Sequence, residues 1–210
     1  MATPSPSPLS GRRAEAARND QRILASARAV FVANPGAPIT DVAKHAGVGI
    51  SALYSRYGSK EELLRKICLD GLTLFLAETE AALADERDTW VAFAGYMRRL
   101  VDADTSSLTL ALAGSFTPTT EMFDLAERAN ERLAELFARV QSLLRPGVEV
   151  HDVSFVLELA AAIKVSDRER TEQLRRRYLA IILDGLRATE RDPLPGPPPS
   201  WQEVNERWTT

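Results

Sequence analysis

The chain has 210 residues, of which 45% are hydrophobic and 26% are charged, and its formal net charge is −3. This balance is that of a globular protein, and no apolar run approaches the roughly 20 residues that a membrane span requires. A single cysteine excludes an internal disulfide, and no cluster of cysteine and histidine has the spacing of metal ligands, so we expect no metal and no cofactor.

The charge is distributed unevenly along the chain. Residues 1–66 carry ten Lys and Arg against five Asp and Glu, whereas residues 67–210 carry sixteen against twenty-four. A basic segment ahead of an acidic one indicates a polyanion partner for the first segment, and chance clustering is the alternative. The stretch MATPSPSPLSGRR predicts a flexible basic arm over residues 1–18. Because this stretch lacks the apolar core of a secretory signal, we expect a cytoplasmic location.

Three short helices are predicted after the arm. The first has apolar residues at helical spacing and ends at NPGAP, residues 34–38; these apolar residues are Ile23, Ala27, Val30 and Phe31. Thr40 is the predicted cap of a second helix, DVAKHA, and Gly47 supplies the positive φ of a tight turn. A third helix, SALYSRY, follows with Leu53 on its inner side. This spacing is typical of a helix-turn-helix, in which the small Ala43 lets two helices cross closely.

The segment ITDVAKHAGVGISALYSRYGSKEELL, residues 39–64, resembles the DNA-binding signature of the tetracycline-repressor (TetR) family of bacterial transcription regulators. The resemblance is specific over residues 19–66. It implies that residues 49–57 form the recognition helix, which enters the major groove. The residues that it assigns to DNA contact are Thr40, Gly49, Ile50, Ser51, Ala52, Tyr54, Ser55, Arg56 and Lys60.

The resemblance also implies different roles within this set. Ile50, Ser51 and Ala52 face base edges, and the apolar members of this trio favour contact with thymine methyls together with readout of DNA shape. Thr40, Tyr54 and Lys60 contact phosphates or sugar, and Ser55 with Arg56 lies at the edge of the groove. Tyr57 falls where the family keeps an aromatic residue in the core. Two interpretations of Arg12, Arg13 and Arg18 stay open, namely contact with DNA or a solvated tail.

A long helix is predicted from residue 60 towards Leu83, because Ser59 and Glu62 form a capping box at its start. The segment that follows is rich in aromatic residues and methionine. Such residues usually form a core. Because the domain resembles TetR-family bodies, the alternative is that they line a cavity for an apolar or aromatic effector, and the sequence leaves both interpretations open. The candidate cavity residues are Phe75, Trp90, Phe93, Tyr96, Met97, Leu112, Phe116 and Phe123.

Two later segments, residues 153–163 and 178–183, are apolar almost all the way round. Each is expected to bury one face in its own core and another against a second subunit, so we predict a homodimer formed by a four-helix bundle. The predicted interface residues are Phe155, Leu159, Ala162, Tyr178, Ile181, Ile182 and Gly185.

The chain ends with a Pro-rich linker and a predicted short helix. Ser200 and Glu203 form a second capping box, and Trp201, Val204 and Trp208 share one helical face. Disorder after the linker is the alternative. Because two exposed tryptophans are unfavourable, we predict that this helix packs back onto the protein.

The sequence therefore predicts an all-α protein with an N-terminal three-helix DNA-binding domain and a C-terminal helical domain. The predicted ranges are 1–18 for the flexible arm, 19–66 for the DNA-binding domain, 67–190 for the ligand-binding and dimerisation domain, and 191–210 for the linker and last helix. The sequence has none of the common catalytic motifs, so we expect no enzyme. The expected function is a ligand-responsive regulator, a repressor that leaves a palindromic operator when a small molecule binds. The alternative is a helical scaffolding module whose head docks protein.

Overall fold

The computed structural model describes residues 8–187 and 194–209, and within these two ranges the chain is helical, with no β-strand. The helices are α1 (Pro8–Ala33), α2 (Ile39–Ala46), α3 (Ile50–Tyr57), α4 (Lys60–Leu83), α5 (Thr89–Ala103), α6 (Thr105–Leu112), α7 (Thr120–Val140), α8 (Asp152–Ala162), α9 (Arg168–Leu186) and α10 (Trp201–Thr209). The all-α prediction is confirmed. No helix in the described ranges combines the length and the apolarity needed to cross a membrane.

The chain divides into two compact units, Met1–Ile67 and Cys68–Thr210, so the division falls inside α4. The start of the first unit differs from the sequence expectation, because α1 begins at Pro8 and residues 8–18 are helical. Arg, Ala and Glu, which dominate this stretch, favour helix strongly, and proline is accepted in the first turn of a helix. Residues 1–7 of the expected arm lie outside the described ranges.

The first unit is built around the inner faces of α1, α2 and α3. Ile23, Phe31 and Leu53 are each at most 1% exposed in this core. Gly47 ends α2 with φ of 65°, and its N–H donates to the carbonyls of Ala43 and Lys44. The predicted left-handed turn of the helix-turn-helix is therefore present.

The starts of α2 and α3 lack side-chain caps. Pro38 is the residue that precedes α2, so Thr40 lies inside the helix and the prediction that it caps the helix is wrong. Proline restricts its own φ, and here its extended conformation, with ψ of 153°, lets the helix begin at Ile39, earlier than expected. At α3, Gly49 takes the capping position and no side chain accepts from the first turn.

The second unit packs its helices around α5. Phe93, Tyr96, Met97 and Leu100 on α5 are each at most 1% exposed, and they pack with apolar residues of α7, α8 and α9. The stripe of large apolar residues on α5 is therefore the centre of the core of this unit.

A buried arginine on α9 connects three parts of the second unit. Arg175 is 7% exposed, and it donates to the carbonyls of Ile163 at 3.0 Å and Ala161 at 2.8 Å. Its guanidinium also donates to the Ser107 hydroxyl at 3.1 Å and pairs with the Asp104 carboxylate at 2.6 Å. Because the last carbonyls of a helix have no partner within it, Arg175 satisfies the C-terminal end of α8 and holds it beside the start of α6.

The turn between α2 and α3 yields a prediction about stability. Replacing Gly47 by Ala should lower the free energy of unfolding by about 1 to 2 kcal/mol, because an L side chain is strained at positive φ. A Cβ at Gly47 would have no heavy atom within 4 Å, so the loss comes from the backbone and not from a clash. Urea unfolding measures the change.

Gly36→Ala is the control for this experiment. Gly36 lies in the same unit and its φ is not positive, and a Cβ there would lie 3.4 Å from the Asn34 amide oxygen, which is an ordinary contact distance. If the two variants lose the same stability, the left-handed turn is not the cause.

Candidate nucleic-acid interface and cavity

Helix α3, the predicted recognition helix, divides its residues between core and solvent. Leu53 is fully buried and Tyr57 is 8% exposed, so Tyr57 packs in the core as predicted. Tyr54 is 46% exposed. Ile50, another residue of the predicted DNA-contact set, is half-buried. The other exposed residues of this set in or next to the helix are Gly49, Ser51, Ala52, Ser55 and Arg56. The helix thus presents a small, weakly polar surface with one aromatic side chain.

An aspartate of α1 fixes the C-terminal end of α3. The Asp20 carboxylate accepts from the Arg56 guanidinium and from the Tyr57 hydroxyl. The hydrogen bond from Arg56 lowers the pKa of Asp20, and burial raises the pKa of Tyr57 above its usual value. Arg56 therefore has an ion-pair partner inside its own unit. Sequence reasoning missed Asp20, because its partners lie 36 and 37 residues away and leave no local pattern.

Lys60 is also engaged within the first unit. Its ammonium donates to the carbonyls of Ala37 at 2.7 Å and Pro35 at 3.3 Å, and it lies 5.1 Å from the centre of the Phe31 ring. These contacts close the loop between α1 and α2. An ammonium group has three N–H donors, so these two bonds leave one donor for another partner. The Lys60 side chain is half-buried at the surface. Thr40 is exposed in the first turn of α2.

The second unit contains a cavity of about 180 Å³ whose walls come from α4, α6, α7, α8, α10 and the segment before α7. Phe75 and Phe123 are the two predicted cavity residues that line it. The other six lie elsewhere. Phe93, Tyr96, Met97 and Leu112 are fully buried, Trp90 lies under the guanidinium of Arg187, and Phe116 packs on Trp208. An aromatic stripe has the same spacing whether it faces a core or a cavity, so the sequence could not separate these residues.

The last helix forms one wall of the cavity. α10 begins with the predicted capping box, since the Ser200 N–H donates to the Glu203 carboxylate at 2.7 Å and the Glu203 N–H donates to the Ser200 hydroxyl at 3.3 Å. Trp201 stacks on His151 with ring centres 5.7 Å apart, and Trp208 lies 5.7 Å from Phe116. The predicted packing of the tail against the protein is present, and residues 191–193 of the linker lie outside the described ranges.

Comparison with known proteins identifies the first unit. Residues 23–67 match the family model described as bacterial regulatory proteins of the tetR family. The first unit is thus similar to the DNA-binding domain of tetR-family regulators. Members of this family are described as bacterial regulatory proteins and transcriptional regulators. No match was found among curated protein sequences.

Solved structures of TetR-family proteins resemble most of the chain. A TetR regulatory protein from Mycobacterium vanbaalenii is 26% identical, with 84% of this chain and 99% of that chain covered at a TM-score of 0.56. A TetR regulator from Streptomyces coelicolor is 25% identical, with coverages of 80% and 98% and a TM-score of 0.55. The regulator PfmR from Thermus thermophilus is also 25% identical, with coverages of 81% and 100% and a TM-score of 0.56.

In the second unit, α8 and α9 expose large apolar side chains. Leu159 is 63% exposed, Ile181 is 55% exposed and Tyr178 is 47% exposed, whereas the opposite faces of the two helices are buried in the core. Of the remaining residues of the predicted interface, Ala162 is exposed. The half-buried ones are Phe155, Ile182 and Gly185. Four of the predicted interface residues thus lie on the solvent-facing sides of α8 and α9, whereas Ile182 packs partly against the core.

The ring contact between His151 and Trp201 yields a prediction about pH. Burial lowers the pKa of His151 from its usual 6.5, and this effect outweighs the opposing charges of Asp152 and Glu149. The docked tail therefore favours neutral His151. The stability that neutral His151 gives to the docked tail is complete above pH 6.5 and is lost as the pH falls through the lowered pKa of His151. The emission of Trp90→Phe protein, which keeps only the tail tryptophans, should shift to the red below about pH 6.5.

His151→Phe is the control for this titration, because it keeps an aromatic ring against Trp201 and removes the titrating group. In that variant the emission should stay constant over the same pH range. A red shift of equal size in both proteins would assign the effect to another group.

Proposed function

We propose that the protein is a repressor that binds a palindromic operator as a homodimer and leaves it when a small apolar or aromatic effector binds. The observation that carries the proposal is the solvent-facing surface of α3, which follows the left-handed turn at Gly47 in a TetR-family head. In a helix-turn-helix, the residues at the start of the second helix reach the base edges of the major groove. Here these residues are Ile50, Ser51 and Ala52.

The chemistry of this surface supports a particular mode of DNA reading. Ile50 and Ala52 offer methyl groups to thymine, and Ser51 offers one hydroxyl, so few direct hydrogen bonds to bases are available. Tyr54 and Thr40 are exposed, as contact with phosphate or sugar requires. Much of the specificity then comes from DNA shape, and much of the affinity from phosphate contacts.

The exposed apolar face of α8 and α9 supports the homodimer. Leu159, Tyr178 and Ile181 together form an apolar patch of the kind that marks a protein interface. Two helices from each subunit would make a four-helix bundle, with Ala162 and Gly185 permitting close approach. A two-fold dimer presents two recognition helices, which is the arrangement that a palindromic operator requires.

The cavity in the second unit supports the effector. Its lining is mainly apolar, with Phe75 and Phe123 among the aromatic contributors, and pockets of this kind bind apolar ligands oriented by a few polar groups. Selecting bound fragments from the source genome tests the proposal as a whole, because the neighbouring genes then indicate the effector. A protein that docks other proteins through its head would enrich no fragment, and its DNA affinity would not fall with salt.

The position of Lys60 yields a prediction about DNA binding. Lys60→Met removes the charge and keeps much of the side-chain stem. It should weaken binding to all duplexes similarly and flatten the dependence of log Kd on log salt by about one unit, since one phosphate contact is lost. Fluorescence anisotropy with labelled operator and random duplex at several salt concentrations measures both effects.

Lys164→Met is the matched control, because it removes the same charge from an exposed position of the second unit. It should leave the salt dependence unchanged. If Lys60→Met lowers stability but keeps the wild-type salt dependence, then Lys60 serves only to hold the Pro35 and Ala37 carbonyls.

The exposed face of α9 yields a prediction about assembly. Ile181→Glu places a charge in the proposed interface and should convert the dimer into a monomer with the helix content of the wild type, as measured by light scattering and circular dichroism. Val91→Glu is the control, since Val91 is 43% exposed on α5 and outside the interface. Wild-type protein that scatters as a monomer would refute the proposed dimer.

A further inference from the structure

Two buried polar atoms, each on a residue that lines the cavity, have no hydrogen-bond partner in the described part of the chain. They are the Thr105 hydroxyl oxygen on α6 and the Asn130 amide oxygen on α7, and both residues line the cavity. Thr105 as a whole is only 8% exposed. A buried polar atom without a partner is unfavourable by about 1 to 3 kcal/mol, so each of them favours a ligand that supplies the missing bond.

The rest of the lining disfavours an anionic ligand. Leu72, Leu108, Leu133 and Val204 are among the apolar residues around these atoms. Glu158 is the one charged side chain in the described lining, and it already has an interaction of its own. An anionic ligand would therefore lose its hydration without gaining an opposite charge, which is strongly unfavourable in an apolar cavity. A cation could not accept a hydrogen bond from the Thr105 hydroxyl.

The volume restricts the size of the ligand. An apolar cavity of about 150 Å³ is sufficient to bind benzene. The present cavity of about 180 Å³ therefore suits one ring with short substituents.

We propose that the cavity takes a neutral alcohol of about the size of a substituted phenol, and that Thr105 and Asn130 recognise its hydroxyl group. This inference rests on the proposed function, in which the cavity is the effector site. A hydroxyl both donates and accepts, so it satisfies the Asn130 amide oxygen by donation and provides an acceptor for the Thr105 hydroxyl. A hydrocarbon of the same shape fills the cavity but leaves both atoms without partners.

The wall contributed by α10 makes binding observable. Trp201 and Trp208 both line the cavity, whereas Trp90 does not. In full-length Trp90→Phe protein, a change in tryptophan emission therefore reports a ligand at this cavity.

The experiment compares para-cresol with para-xylene, in which a methyl group replaces the hydroxyl. Both are titrated into Trp90→Phe protein, with excitation beyond the absorption of the phenol and with calorimetry as a second readout. The Kd for para-cresol should be at least about tenfold lower than that for para-xylene, because only the phenol satisfies the buried polar atoms. Equal affinity for the two probes, or binding of neither, would overturn the proposal.

Variants then assign the discrimination to particular residues. Asn130→Leu and Thr105→Val remove the polar atoms with little change of shape, so each should reduce the preference for para-cresol by several-fold. Asn205→Leu is the matched control, since Asn205 lines the same cavity and its amide already donates to the Trp201 carbonyl. If both Asn130→Leu and Thr105→Val keep the wild-type preference, the proposal is wrong. Cooperative unfolding shows that a variant is folded. If one of the two variants is not folded, the other one alone decides the test.

The result of the ligand titration is independent of the test of DNA binding, because the titration contains no DNA. A protein that binds its operator but does not prefer para-cresol contradicts the recognition of a hydroxyl and leaves the proposed function intact. A protein that prefers para-cresol but binds no operator contradicts the proposed function alone.

Discussion

The buried guanidinium of Arg175 is the interaction on which the second unit depends. A buried charge is tolerated only when it is paired and fully hydrogen-bonded, and Asp104, Ser107 and two backbone carbonyls provide these partners. The same contacts end α8, anchor α9 and hold the start of α6, where Thr105 lines the cavity. Arg175 therefore positions both the exposed face of α8 and α9 and the wall of the cavity that α6 forms. A change at this arginine would disturb both surfaces together.

The first unit uses its polar side chains in a comparable way. Asp20 holds the end of the recognition helix through Arg56 and Tyr57, and Lys60 holds the loop between α1 and α2. Two residues that the family resemblance assigns to DNA thus have intramolecular partners as well. Such contacts fix side chains and helices before DNA is bound, so less conformational entropy is lost on binding. The position of α3 therefore depends on the polar contacts of Asp20 as well as on apolar packing.

The tail completes the second unit. α10 is short, and a helix of its length is not stable alone in water, so its tertiary contacts must hold it. Trp201 and Trp208 supply these contacts through His151 and Phe116, and the same face of the helix closes the cavity. The cavity is consequently bounded by parts of the chain that are far apart in sequence.

The sequence by itself determined the features that depend on neighbouring residues. The left-handed turn at Gly47, the capping box at Ser200 and the tryptophan face of the tail each follow from side chains within a few positions of one another. The inward position of Tyr57 was predicted from the family resemblance. Only the tertiary structure decided which aromatic residues face the cavity, since the stripe on α5 became the core and Phe75 and Phe123 became the lining. It also decided the partners of Asp20 and Arg175, because electrostatic pairing across tens of residues leaves no periodic signal in the chain.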